Sequence, residues 1–188
     1  MPNAKHVKAA LSLFEPASSV EQGFKGRMLA LCDTESPFSR GQFNPGHFTA
    51  SAFVLSPDRR SLLLIHHAKL HRWLQPGGHV EASDTDLLAA ATREAMEECS
   101  LDMGDLELLS SEPFDLDIHR IPARKEEPEH DHFDVRYLFR CRSDAAQAGE
   151  EVLDLAYVAF DQINAVESDQ SVMRAVQRLQ AMDLNPRF

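Results

Sequence analysis

The residues in this chain best suited to chemistry lie in Arg93-Glu94-Ala95-Met96-Glu97-Glu98. On an α-helix, positions three and four apart share a face, so Glu94, Glu97 and Glu98 project close together. Three carboxylates at that spacing repel one another unless a cation lies among them. A divalent, oxygen-seeking metal such as Mg²⁺ is the natural counter-charge, bound through a few carboxylates and the phosphates of a substrate. Arg93 and Glu97 also form an i, i+4 pair that can hold Glu97 in place. Upstream, Gly77-Gly78 permit dihedrals closed to other residues and let the backbone approach a ligand closely. The stretch reads as a metal platform preceded by a loop.

Arg93 to Leu101 resembles the second half of the Nudix hydrolase signature, G-x5-E-x7-R-E-U-x-E-E-x-G-U with U apolar, and Gly78 fits its opening glycine. Two positions depart from the pattern. Ser100 stands where the family has glycine, and the stretch from Gly78 to Arg93 is one residue longer than the signature allows. The signature's first glutamate therefore has no exact counterpart, and Asp84 or Asp86 is its stand-in. The resemblance implies an α/β fold, the α/β/α sandwich with a mixed sheet. It implies metal ligands at Glu94, Glu97, Glu98 and the backbone carbonyl of Gly78, with Mg²⁺ or Mn²⁺ as cofactor. The implied reaction is hydrolysis of the diphosphate in a nucleoside diphosphate linked to another group, with NDP-sugars and (d)NTPs leading. Glu94, Glu97 and Glu98 would be the catalytic set, Glu97 as a further ligand or as the base for the attacking water. A non-catalytic nucleotide sensor and a diphosphate isomerase are the alternatives on the same fold.

These side chains need a scaffold, and 188 residues suffice for one domain with a sizeable core. The formal net charge of −11 argues against nucleic acid or an anionic membrane as partner. The resemblance implies a small-molecule nucleotide derivative as partner, with a homodimer open. Cys32, Cys99 and Cys141 are widely spaced and odd in number, which points to free thiols in a reducing compartment. No uninterrupted apolar run opens the chain, so a cytoplasmic protein is expected.

Apolar spacing predicts a helix over residues 4–14 (Val7, Ala10, Leu11 and Phe14) and another over 19–32 (Val20, Phe24, Met28 and Leu31), separated by Pro16. Ser18-x-x-Glu21 or Ser19-x-x-Gln22 offers a capping box. Residues 1–45 are thus an N-terminal helical extension, a hairpin ahead of a Nudix domain at 46–188. Strands are expected at 47–56, 61–67, 106–109, 113–121, 133–141 and 152–160, with a short extended piece near 72–75. The platform helix, capped within Ser83 to Asp86, should bury Leu88, Ala91, Ala95 and Cys99. A last helix should turn Val172, Val176 and Leu179 inward behind Ser168 or Asp169.

Further chemistry is sparser. His119, His130 and His132 invite zinc but fit no compact ligand motif, and solvated or hydrogen-bonded histidines are the commoner case. In a Nudix setting the loop 118–132 is a place for substrate contacts, which makes His119, His132, Asp134 and Arg136 candidate pocket residues. His130, His132, Asp134 and Arg136 share one face if the strand begins early. Arg72, with Lys69, Arg120, Arg124 and Lys125, is a candidate phosphate partner. Glu150-Glu151 could add a carboxylate near the metals.

Overall fold

The computed structural model describes residues 1–125, 127–150 and 152–182. They cluster into two units. Unit 1 comprises 1–51, 77–94 and 110–137; unit 2 comprises 52–76, 95–109 and 138 onward.

Unit 1 opens with α1 (Ala4–Leu13) and α2 (Ser19–Leu31). Asn3 caps α1 by accepting from the Lys5 amide, and Val7, Leu11 and Phe14 are buried. Of the two capping candidates Ser18 is used: its hydroxyl accepts from the Glu21 amide, while the Glu21 carboxylate accepts from the amide of Ala17. Lys25 Nζ donates to the carbonyls of Ser12 and Phe14 at the C-terminal end of α1, satisfying groups the helix leaves open. Met28 and Leu31 are buried as expected, but Val20 is 53% exposed. It lies in the first turn of α2, where the periodic stripe has not yet met its neighbour.

β1 (Gly46–Leu55) starts in this unit and pairs antiparallel with β4 (Gly77–His79), Ala50 opposite Gly78. The glycine pair is therefore a short strand, where the sequence suggested a loop. A side chain at Gly77 would overlap Ser51. β6 (Asp115–Ile121) pairs antiparallel with the first half of β7 (His130–Cys141), His119 opposite His132. The expectation of a loop over 118–132 is corrected: β6 runs to Ile121 and β7 begins at His130, three residues early.

In unit 2, β2 (Ser61–His67) pairs with the end of β1, with β3 (Arg72–Leu74), and along its length with β8 (Val152–Ala159). β5 (Leu106–Leu108) pairs with the end of β7. β1 and β7 are neighbours in the strand order. α4 (Gln170–Ala181) is capped by Asp169, which accepts from the Ser171 and Val172 amides, and it buries Val172, Ala175, Val176 and Leu179.

The platform helix is α3 (Leu87–Cys99), capped by Asp86, whose carboxylate accepts from the Ala89 amide at 2.7 Å. Leu87 rather than Leu88 heads its buried stripe, followed by Ala90, Ala91, Ala95 and Cys99. The end of α3 is closed by the polar segment after β7: Gln147 N–H donates to the Cys99 carbonyl and Gly149 N–H to the Glu98 carbonyl, both at 2.9 Å. A side chain at Gly149 would overlap the Glu97 carbonyl.

Ser100 takes φ 49°, the left-handed residue after α3, and the Leu101 amide reaches back to the Met96 carbonyl. That is a Schellman-type stop, a position favouring glycine. Ser100→Gly should stabilise the fold by about 1 kcal/mol, raising Tm by roughly 2–4 °C. A calorimetric scan showing no rise, or a fall, would contradict this account of the helix end.

Candidate active site

Within unit 1, Gly78 and Glu94 meet directly. A methyl group at Gly78 would come 2.6 Å from Glu94 Oε1, so a side chain there would displace this carboxylate. Arg93 is the fixing residue. Its Nη1 donates to Glu94 Oε1 at 2.9 Å, its Nη2 to the His79 carbonyl at 2.9 Å, and its Nε and Nη2 to the two Asp84 oxygens at 3.1 and 3.0 Å. Asp84 also accepts from the Glu81 amide, so the loop is closed on itself before the guanidinium clamps it to α3. Burial alone would push the Asp84 carboxyl up, but Arg93 and the Glu81 amide outweigh it and hold it below the ordinary range. The same pairing raises the Arg93 guanidinium against the opposing effect of burial. The two aspartates differ in role: Asp84 bonds Arg93, and Asp86 caps the helix.

Glu98, half-buried, follows Glu94 by one turn of α3, and Glu97 is exposed; both belong to unit 2. Within unit 1 the Glu94 carboxylate lies against Gly78, and carboxylate oxygens are donors that suit a hard divalent cation. Arg72 lies exposed on β3 in unit 2. Glu150 is exposed, and Glu151 lies outside the described residues.

Asp134 and Arg136 have a different setting from the open pocket expected of them. Arg136 is 1% exposed and bonds Asp134 (2.7 Å), Asp115 (3.0 Å) and Asp117 (3.4 Å). Asp134 in turn accepts from Thr49 and Ser51 hydroxyls on β1. A ligand reaching either residue would have to break this network, so as pocket-lining candidates they are set aside. Burial would lower the Arg136 pKa, yet the three aspartates outweigh it and raise it.

His119, exposed, bonds Asp117 through Nδ1 at 3.1 Å, and its ring lies 5.4 Å from that of His132. His132 is joined by His130 and by two histidines that sequence reasoning missed, His47 and His79. Burial pushes His79 down to about 4 and His132 down to about 2, and lowers His47, which favours the neutral form of each ring. Only the H-x-H alternation on β7 was visible beforehand; His47 and His79 are too distant in the chain to have signalled the cluster.

Unit 1 thus sets a glycine strand against an arginine-clamped carboxylate. The NUDIX domain family matches residues 45–177. A Lactococcus lactis subsp. cremoris protein described as a probable DHNTP pyrophosphohydrolase is 32% identical over 130 residues, covering 66% of this chain and 72% of that one. The chain belongs to the Nudix family, whose hydrolases generally use divalent metal ions. Its fold resembles that of the E. coli dihydroneopterin triphosphate pyrophosphohydrolase (TM-score 0.59, 16% identity, 70% of this chain and 92% of that one). It also resembles the C. elegans Ap4A hydrolase (TM-score 0.54, 15% identity, 71% and 96%). No helix among the described residues is long and apolar enough to cross a membrane.

Proposed function

We propose that the chain is a Mg²⁺- or Mn²⁺-dependent pyrophosphohydrolase that takes a nucleotide-like triphosphate, a (d)NTP or a pterin triphosphate, and releases pyrophosphate. The observation that carries it is the contact of Gly78 with the Arg93-fixed carboxylate of Glu94. The name and 32% identity of the Lactococcus relative support the triphosphate class over NDP-sugars. We place its work in the cytoplasm, in keeping with three buried free thiols.

Glu94, Glu98 and the Gly78 carbonyl would hold the metal. When bound, divalent cations neutralise the phosphate oxygens and lower the pKa of an attacking water. Arg93 keeps Glu94 in one rotamer and, through Asp84 and the His79 carbonyl, fixes the loop to α3. That preorganisation lets a phosphoanhydride meet its nucleophile in line. Glu97, the exposed member of the three, accepts the proton of the attacking water as the phosphoanhydride P–O bond breaks.

The test is a panel of (d)NTPs, dihydroneopterin triphosphate and NDP-sugars with Mg²⁺ or Mn²⁺, assayed with added inorganic pyrophosphatase and, separately, with added phosphatase. Phosphate that appears from triphosphates only after pyrophosphatase is expected. Signal from NDP-sugars alone would move the substrate to that class, and ligand binding without turnover would favour a sensor. Glu97→Gln should lower kcat by about 100-fold while leaving the Mg²⁺ titration unchanged. Near-normal turnover in that variant would remove Glu97 from the base role.

A further inference from the structure

His47, at the start of β1, and His130 and His132, at the start of β7, place one side-chain ligand atom each within 4.8 Å of one another, inside unit 1. The backbone brings them there. Gly46, with φ +130°, lies so close to Asp131 that any side chain would overlap its carbonyl, which sets His47 against the His-Asp-His start of strand β7. Strand alternation then puts His130 and His132 on one face. Arg27 and Arg120 bond the intervening Asp131 carboxylate.

The hydrogen bonds of these rings fix which nitrogens face inward. His47 Nδ1 lies 3.2 Å from the Gln42 carbonyl and His130 Nδ1 2.7 Å from the Pro128 carbonyl. A carbonyl can only accept, so both Nδ1 atoms carry the proton and both Nε2 atoms present lone pairs. His47 is fully buried, and its Nε2 has no hydrogen-bond partner among the described residues. His130 Nε2 faces His132 Nε2 at 3.3 Å. The His132 nitrogen in this contact carries at most one proton, so it can satisfy at most one of the two lone pairs. The other is left desolvated and unpaired, which is unfavourable for a buried acceptor. An electron-pair acceptor at the centre would satisfy all three rings.

We propose that His47, His130 and His132 form a binding site for a zinc-class transition-metal ion, each giving one imidazole nitrogen and leaving a fourth position to water or a ligand. Backbone carbonyls on the outer nitrogens are the usual second layer around metal-bound imidazoles. The 3.3 Å separation of the His130 and His132 nitrogens matches the edge of a tetrahedral zinc site, about 3.3 Å for bonds of about 2.0 Å. Nitrogen-only donors select zinc, cobalt or nickel over magnesium, so the site is chemically distinct from the carboxylates of α3. His79, its ring 5.2 Å from that of His47 and 5.0 Å from that of His132, walls the cluster.

The experiment uses the full chain, stripped with chelator and titrated with Co²⁺ and Zn²⁺ in excess Mg²⁺. One equivalent of Co²⁺ should give the intense visible bands of a four-coordinate ion, and Zn²⁺ should displace it and raise Tm. His47→Ala and His132→Ala should each weaken binding at least about 100-fold, while Glu94→Gln and His119→Ala leave it unchanged. Absence of the bands in the wild-type chain overturns the site whether or not the variants fold. So does Co²⁺ binding lost in Glu94→Gln but kept in His47→Ala. Absence of the bands leaves the pyrophosphohydrolase reading untouched, since that reading is scored by turnover with Mg²⁺.

Discussion

Glu94→Gln should lower kcat/KM by about a thousandfold, roughly 4 kcal/mol of transition-state stabilisation, and should move the Mg²⁺ titration to higher concentration. The substitution keeps the side chain's shape and removes its charge. Arg93 retains Asp84 and the His79 carbonyl, so the loop stays attached to α3 and the loss is one of charge, not of fold. Glu98→Gln should behave alike, since it sits one helical turn on and offers the same donor type. The decisive measurement is activity against Mg²⁺ concentration, beside circular dichroism to confirm folding. Unchanged titrations in both variants would defeat the carboxylate platform.

The second large effect concerns stability. Arg136→Met should destabilise the protein by about 3–5 kcal/mol, because it strips the cation from Asp115, Asp117 and Asp134 and leaves buried charge uncompensated. For a chain of this length that is a fall in Tm of roughly 6–20 °C. Arg120→Ala is the contrast: its ion pairs to Glu129 and Asp131 involve a side chain 58% exposed, and such pairs contribute at most about 1 kcal/mol. Denaturant unfolding of both variants checks the claim. Equal, small losses would mean that the aspartates readily find other partners.

What could be read from the sequence was whatever is encoded over short distances. The acidic ridge follows from helical spacing within a single turn and a half, and the caps at Ser18 and Asp169 follow from one residue and the amides just after it. The one-residue insertion left Asp84 and Asp86 equivalent on paper, and only the position of the Arg93 guanidinium separates them. Residues 118–132 looked like a loop because their charged and proline-rich composition hides strand pairing. The antiparallel register that orders them is a tertiary fact. Asp134 and Arg136 read as exposed chemistry for the same reason: the partners that bury them come from β1 and β6, far along the chain. Val20 and Leu88 erred by one position on otherwise correct stripes, a reminder that periodicity defines a face better than its edge.

Gly149 gives the polar segment after β7 a grip on the last turn of α3, its amide on the Glu98 carbonyl and no space beside it for a methyl group. Lengthening or shortening residues 142–148 would therefore twist the turn that carries Glu97 and Glu98. Turnover could be retuned there by evolution or by an engineer, in a tract that holds no reacting group and without substituting any of the three glutamates.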